Sequence, residues 1–285
     1  MGSHDFDRRW TEVNFEKFIV DIGIIGWGVV GSACGNGFKI LNHTVRHCDP
    51  KYGTTINNVL DTDIVFVCVP TPSLPSGACD TTLIKDTVLQ LKNFNYSGVI
   101  AIKSTTNPGT TQSLIDQYQD YNICYVPEFL REVSAEEDFI SNHNLLVVGC
   151  VSDHSYNTVV EACGHFPKNH RKLSPTETEI LKYYSNTFNA LRVVFANIFF
   201  EMCEKLNADY SKVLESFLLR TSDSYLQCSE NLRGYGGPCL PKDVKAMKEF
   251  CKELEISVEL FNAIDHDNNQ FKITIPKGMR PNESH

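Results

Sequence analysis

An apolar run, Phe18 to Ile25, leads without a break into Gly26-Trp27-Gly28-Val29-Val30-Gly31. Isoleucine and valine dominate it, the pattern of a parallel strand buried on both faces. A G-x-G-x-x-G run between such a strand and the helix-compatible segment Ser32 to Leu41 leaves few folds open. The first glycine permits a tight turn, the second lets a pyrophosphate approach the backbone, and the third lets helix and strand pack closely. Phosphates then meet the helix N-terminus. Gly26, Gly28, Val29, Val30 and Gly31 are therefore candidate dinucleotide-binding positions. A second strand, Thr44 to Cys48, ends in Asp49. An acid about twenty residues past the first glycine accepts hydrogen bonds from ribose hydroxyls and repels a 2′-phosphate. NAD is expected over NADP, with Arg46 and Lys51 leaving the phosphorylated cofactor open. The competing reading is a glycine-rich turn with a capping aspartate.

More apolar runs follow: Ile64 to Val69, Val99 to Ile102, Ile123 to Val126 and Leu145 to Cys150. Helical segments separate them, one starting near Asp80-Thr81-Thr82. This alternation predicts an α/β fold, a Rossmann-like doubly wound parallel sheet. Ligands bind such sheets at the C-terminal strand ends. Those ends carry Pro70-Thr71-Pro72, then Lys103-Ser104-Thr105-Thr106-Asn107-Pro108-Gly109-Thr110, then Pro127-Glu128-Phe129-Leu130-Arg131-Glu132. The hydroxyls of Ser104 and Thr105 suit a ribose, an amide or a water. Glu128 and Glu132 read either as a solvated helix start or as paired acids at the ligand edge. Glu136, Glu137 and Asp138 read as exposed surface.

Gly164 to Lys172 is basic, polar and irregular, and marks a boundary. Beyond it the chain reads as all-α. Ser174-Pro175-Thr176-Glu177 signals a helix start, and apolar residues recur at a helical period to Leu206. Lys182 and Asn186 stand four apart on this long helix, hence on one face. Lys182 either snorkels to solvent or is buried against ligand, where its pKa falls and it can move a proton. Helices are expected at Tyr210 to Leu219, Lys242 to Glu255 and Val258 to Phe271. Between them lies Gly234-Tyr235-Gly236-Gly237-Pro238-Cys239-Leu240-Pro241-Lys242-Asp243. A cysteine on a Gly/Pro loop at a helix mouth either closes a tight turn or serves as a nucleophile with a lowered pKa. The expected organisation is an extension over 1–17, a dinucleotide-binding domain over 18–165, a helical central domain over 173–272 and a tail over 273–285.

The totals exclude several classes. At 285 residues the chain is long enough for about two domains. A net charge of −9 argues against nucleic acid or an anionic membrane as the main partner. Eleven cysteines, an odd count without a C-x-x-C pair, read as scattered reduced thiols of a cytoplasmic protein. They give neither a disulfide framework nor metal-ligand spacing. The Met1 to Phe18 segment lacks the apolar core of a signal peptide, and no apolar run reaches membrane-spanning length.

Together these motifs, from Phe18 to Gln270, resemble the nucleotide-sugar 6-dehydrogenase (UDP-glucose/GDP-mannose dehydrogenase) family. The resemblance rests on the glycine run, Val69-Pro-Thr-Pro72, Lys103-Ser-Thr105 with Pro108-Gly-Thr110, Pro127 to Glu132, Lys182-Tyr-Tyr-Ser-Asn186 and the Gly234 to Asp243 loop. It implies oxidation of a sugar CH₂OH to a carboxylate with NAD, through a thiohemiacetal and a thioester on Cys239. Lys182 and Asn186 would stabilise the oxyanion, Asp243 would handle water, and Glu128 would assist thioester hydrolysis. Thr105 and Glu132 would hold a water near the nicotinamide. Pro70, Thr71, Ser104 and Lys242 would belong to the cofactor site, with Glu128, Phe129, Leu130, Gly236 and Gly237 at the sugar-phosphate site. Arg220, or alternatively Arg233, would reach a neighbouring subunit's substrate. The implied partners are a UDP-sugar and a second copy of the chain, paired through the long helix. Family members continue into a further α/β domain that supplies much of the UDP surface, and the chain is expected to lack it. Two other readings follow from that expectation: a dehydrogenase of a smaller sugar or hydroxy compound, and an NAD-binding protein without catalysis.

Overall fold

The glycine run does what its spacing requires. In a computed structural model that describes residues 19–130, 134–141, 144–220, 235 and 240–270, strand β1 (Asp21–Ile25) turns at Gly26 into helix α1 (Val29–Ile40). Gly26 has φ +90°, a conformation that costs glycine nothing. A Cβ there would stand 2.5 Å from the Cys68 carbonyl oxygen, and one at Gly31 would stand 1.9 Å from that of Gly26. Both obstacles are backbone, so neither position has room for a side chain. Gly28 differs, because its Cβ direction opens on empty space.

The sheet adds β2 (Thr44–Cys48), β3 (Ile64–Val67), β4 (Val99–Ile102), β5 (Ile123–Tyr125), β6 (Leu146–Gly149) and β7 (His170–Leu173). Its order is β2-β1-β3-β4-β5-β6-β7. The chain goes one way from β1 to β2 and returns to β3 on β1's other side, so the switch point lies between the ends of β1 and β3. Strand β3 shows why the apolar runs are continuous. Ile64 and Phe66 join one core with residues of α1, α4 (Ala135–Ile140) and α5 (Asp153–Cys163). Val65 and Val67 join the other core with α2 (Thr82–Asn93) and α3 (Thr110–Tyr118). Phe38 of α1 is fully buried, stacked on Phe66 at 4.9 Å and edge-on to Phe139 of α4 at 5.3 Å. Burial of one such ring stabilises by about 1.5–3 kcal/mol.

Three expectations need correction. The sheet is not wholly parallel: β6 pairs antiparallel with β5 at Tyr125↔Gly149, and β7 runs parallel to β6. After β5 the chain crosses through α4, which packs beside α1, and re-enters the sheet from the edge it has just left. Second, part of the irregular Gly164 to Lys172 segment is strand β7. Its residues are mostly exposed, so no apolar run announces it. A charged edge strand is held by its ladder and resists pairing with other chains. Third, Asp138 is buried on α4 and accepts a hydrogen bond from Ser134 Oγ at 3.2 Å; only Glu136 and Glu137 of that acidic run are exposed.

Backbone contacts divide the chain into units over 1–185 and 186–285. Helix α6 (Pro175–Lys205) opens with a capping box: Ser174 N donates to Glu177 Oε2, and Glu177 N to Ser174 Oγ. The second unit contains the rest of α6 with α7 (Tyr210–Arg220), α8 (Leu240–Glu253) and α9 (Glu259–Gln270). Its core joins Ile198, Met202, Cys251, Ile256 and Phe261. Among the described residues no helix is long and apolar enough to cross a membrane.

Candidate active site

The dinucleotide cradle comes first. Helix α1 begins without a side-chain cap at Gly28, so the N–H groups of its first turn point outward past a residue with no side chain. A pyrophosphate satisfies such groups. Asp49 stands at the end of β2, where its Oδ2 accepts from Trp27 N at 2.7 Å and its Oδ1 from Lys51 N at 2.8 Å. Each carboxylate oxygen keeps a second lone pair for a ribose hydroxyl. Arg46, the nearest guanidinium in sequence, is paired with Asp61. The lysine at position 51 lies over the Tyr52 ring, 5.6 Å from its centre. The cradle thus fits a dinucleotide with a free 2′-hydroxyl.

The ends of β3, β4 and β5 build the reacting edge. Ser104 is buried, and its hydroxyl donates to Val69 O at 2.6 Å, tying the end of β4 to the Val69-Pro70-Thr71 loop. Thr71 and Thr105 line one cleft of about 540 Å³ with Cys79, Asn107, Pro108 and Tyr183. Cys79 sits in no sequence motif, and Tyr183, inside the Lys182-Tyr-Tyr-Ser-Asn186 motif, was given no role of its own by sequence.

Glu128, just past β5, turns its carboxylate inward. Its Oε2 is 2.8 Å from the ammonium of Lys103, and its Oε1 accepts from Phe129 N at 2.8 Å and Leu130 N at 3.0 Å. Lys103 is buried: desolvation, the largest single influence, lowers its pKa, but the charge and hydrogen bond of Glu128, together with Cys34 and Cys68, outweigh it and raise the pKa. What Glu128 offers outward is its carbonyl, which accepts from Lys182 Nζ. Lys182 also lies over the half-exposed Phe129 ring, 5.4 Å from its centre. Burial lowers the Lys182 pKa, Glu128 opposes that, and Lys103 adds to it. The long helix therefore delivers an ammonium, poised to give up its proton below the ordinary lysine range, to the C-terminal edge of the sheet. Asn186 stands one turn further along α6 and is exposed.

Two domain models of one family match the chain. Residues 51–165 match the NAD binding domain, and residues 176–270 the central domain, of the UDP-glucose/GDP-mannose dehydrogenase family. The chain belongs to the UDP-glucose/GDP-mannose dehydrogenase family. Its NAD binding domain makes NAD the cofactor. Among related proteins, the chain is 28% identical over 243 residues to a UDP-glucose 6-dehydrogenase of Rickettsia bellii, covering 81% of this chain and 55% of that protein. It is 32% identical over 283 residues to one of Haloferax volcanii, covering 80% and 64%. The chain thus spans little more than half the length of such relatives. Two solved structures share the fold: a GDP-mannose dehydrogenase from Pseudomonas aeruginosa (TM-score 0.76, 21% identity, 87% of this chain and 68% of that one), and a UDP-glucose dehydrogenase from Pyrobaculum islandicum (TM-score 0.65, 24% identity, 91% and 70%).

Several residues expected to act in this family lie outside the described residues: Glu132, Gly236, Gly237 and Cys239. The side chains of Arg220, Lys242 and Asp243 lie outside them too. Of the Gly234 to Cys239 stretch, Tyr235 is described. Asn268 of α9 is buried, accepts from Tyr235 N at 2.7 Å and donates to Tyr235 O at 3.0 Å. Sequence reading missed Asn268, because a polar residue in Asp267-Asn268-Asn269 looks solvated.

Proposed function

We propose that this chain comprises the NAD-binding and central portions of a nucleotide-sugar 6-dehydrogenase, which oxidises the CH₂OH of a UDP-sugar such as UDP-glucose to a carboxylate. The observation that carries the reading is Lys182: a half-buried ammonium with a lowered pKa, seated on the Glu128 carbonyl at the ligand edge of an NAD-binding sheet. A group so placed stabilises a developing oxyanion and transfers a proton. NAD, when bound, supplies the hydride acceptor. Asn186 would share the oxyanion and Thr105 would hold a water. Cys239 would add as thiolate to the aldehyde, keeping it bound as a thiohemiacetal and then as a thioester, and Asp243 would position the water that releases the acid. Glu132 would assist at the nicotinamide and Lys242 would hold the cofactor.

The test is stoichiometry. Purified protein with NAD and UDP-glucose is expected to release two NADH per sugar, followed by absorbance. Release of a single NADH, or none with any nucleotide sugar, would overturn the reading.

We also propose a homodimer. Leu191, Val194, Phe195 and Phe200 of α6 and Val213, Phe217 and Leu218 of α7 are all exposed, the large apolar residue types that an association surface presents. Light scattering is expected to give twice the 32.2 kDa chain mass; a monomer at micromolar concentration would exclude the pairing.

A further inference from the structure

Glu179 is fully buried at the start of α6. Its carboxylate accepts from Thr106 Oγ1 at 2.9 Å, Gly109 N at 2.6 Å, Thr111 N at 2.8 Å and Thr111 Oγ1 at 2.7 Å. Every one of these donors belongs to the loop after β4 or to the first turn of α3. Gly109, with φ +93°, is the N-cap of α3, so the carboxylate sits where a helix N-terminus favours an anion. Burying a carboxylate is costly unless it is hydrogen-bonded throughout. An apolar residue would pack the helix start at lower cost, but without fixing its rotation or its height.

That rotation and height matter because of what lies on either side. Thr105, on the cleft, directly precedes Thr106. Lys182 follows Glu179 by three residues, so it rises from the same face of α6, about 4.5 Å along the axis. We infer that Glu179 is a positioning residue: by locking the first turn of α6 onto the Thr106–Thr111 segment, it sets the ammonium of Lys182 on the Glu128 carbonyl and holds Thr105 in register with it. This rests on the catalytic reading of Lys182 given above, yet it is testable without turnover.

The experiment follows the Lys182 side-chain resonance by NMR in ¹³C-lysine-labelled protein, assigned by its loss in Lys182→Arg. Among the described residues, the charged groups that act on Lys182 are Glu128 and Lys103, and the substitution leaves both unchanged. In Glu179→Ala the ammonium gains water, and its titration midpoint is expected to rise toward the ordinary lysine range. Simple loss of a negative charge would lower the midpoint, so the sign separates position from charge. With NAD and UDP-glucose, kcat is expected to fall about tenfold or more with KM within about twofold, the pattern of an interaction made only in the transition state. A lowered melting temperature with an unchanged or lowered Lys182 midpoint would overturn the inference and leave Glu179 a structural residue. Should Glu179→Ala fail to fold, Glu179→Gln decides. It keeps an acceptor for Thr106 and Thr111 but sets an amide N–H against Gly109 N–H. A smaller rise is expected there, and no rise overturns the inference. If wild type makes no NADH, the functional reading fails while the titration still decides the role of Glu179.

Discussion

Lys103→Met is expected to lower the free energy of unfolding by about 3–5 kcal/mol, the cost of stranding one member of a buried ion pair. The side chain of Lys103 is 4% exposed and that of Glu128 13%, so water cannot replace the missing ammonium. The N–H groups of Phe129 and Leu130 still reach Glu128 Oε1, which places the loss nearer the lower end. Adding Glu128→Gln to Lys103→Met removes the stranded charge while keeping an acceptor for those N–H groups. It is expected to recover more than half of the loss. Urea unfolding at neutral pH reads both variants, and a single-variant loss under about 1 kcal/mol would show the pair to be effectively solvated. The pH dependence has a definite sign. The folded-state pKa of Lys103 is raised, so the pair's contribution is fully present below the ordinary lysine pKa, near ~10.4. It is lost only as pH rises through the folded value.

Lys182→Met is expected to act in the opposite way on stability and far more strongly on rate. With UDP-glucose, kcat should fall by roughly 10²–10³-fold, the scale of one lost oxyanion donor, while KM for NAD stays close to wild type. Methionine fills much of the space over Phe129 without bringing a charge. Burial lowers the Lys182 pKa, so the folded state carries the ammonium at a cost, and that cost is relieved as pH rises through the folded value. The variant should therefore be as stable as wild type or more stable at neutral pH. In wild type, the alkaline limb of kcat should lie below the ordinary lysine range, and in Lys182→Met that limb should vanish. A variant that keeps both rate and limb would remove Lys182 from the chemistry.

What the sequence showed and what it hid follow from how far each signal extends. The run from Ile22 through the glycines to Asp49 is local: strand, turn, helix and acid lie within one βαβ stretch, and each residue type has one physical use there. The long helix was legible because its period persists from Ile180 to Met202. Strand direction is not local. Leu146 to Gly149 look the same whichever way they run, and β7, His170-Arg171-Lys172-Leu173, has no apolar signal at all. The polar interior was hidden for a related reason. Glu179, one turn into a helix, has the composition of a solvated surface, and only Thr106, Gly109 and Thr111 arriving from a distant segment make it a buried acceptor. Glu128 was singled out as an acid facing ligand, but the pairing of its carboxylate with Lys103 is tertiary.

The thiols around that ion pair have a further use. Cys34, Cys68 and Cys163 all feel the charges of Lys103 and Glu128, yet burial outweighs them. The thiol of Cys68 and that of Cys163 are pushed up to about 12. At neutral pH the thiolate fraction of such groups is on the order of 10⁻⁵, and since Cys34 and Cys163 are also buried, unlike the partly exposed Cys68, alkylating reagents meet those two only when the sheet opens. Each becomes ordinary on exposure. The interior of this domain is therefore furnished with clocks: the rate at which Cys34 and Cys163 acquire label in native buffer measures how often the chain breathes.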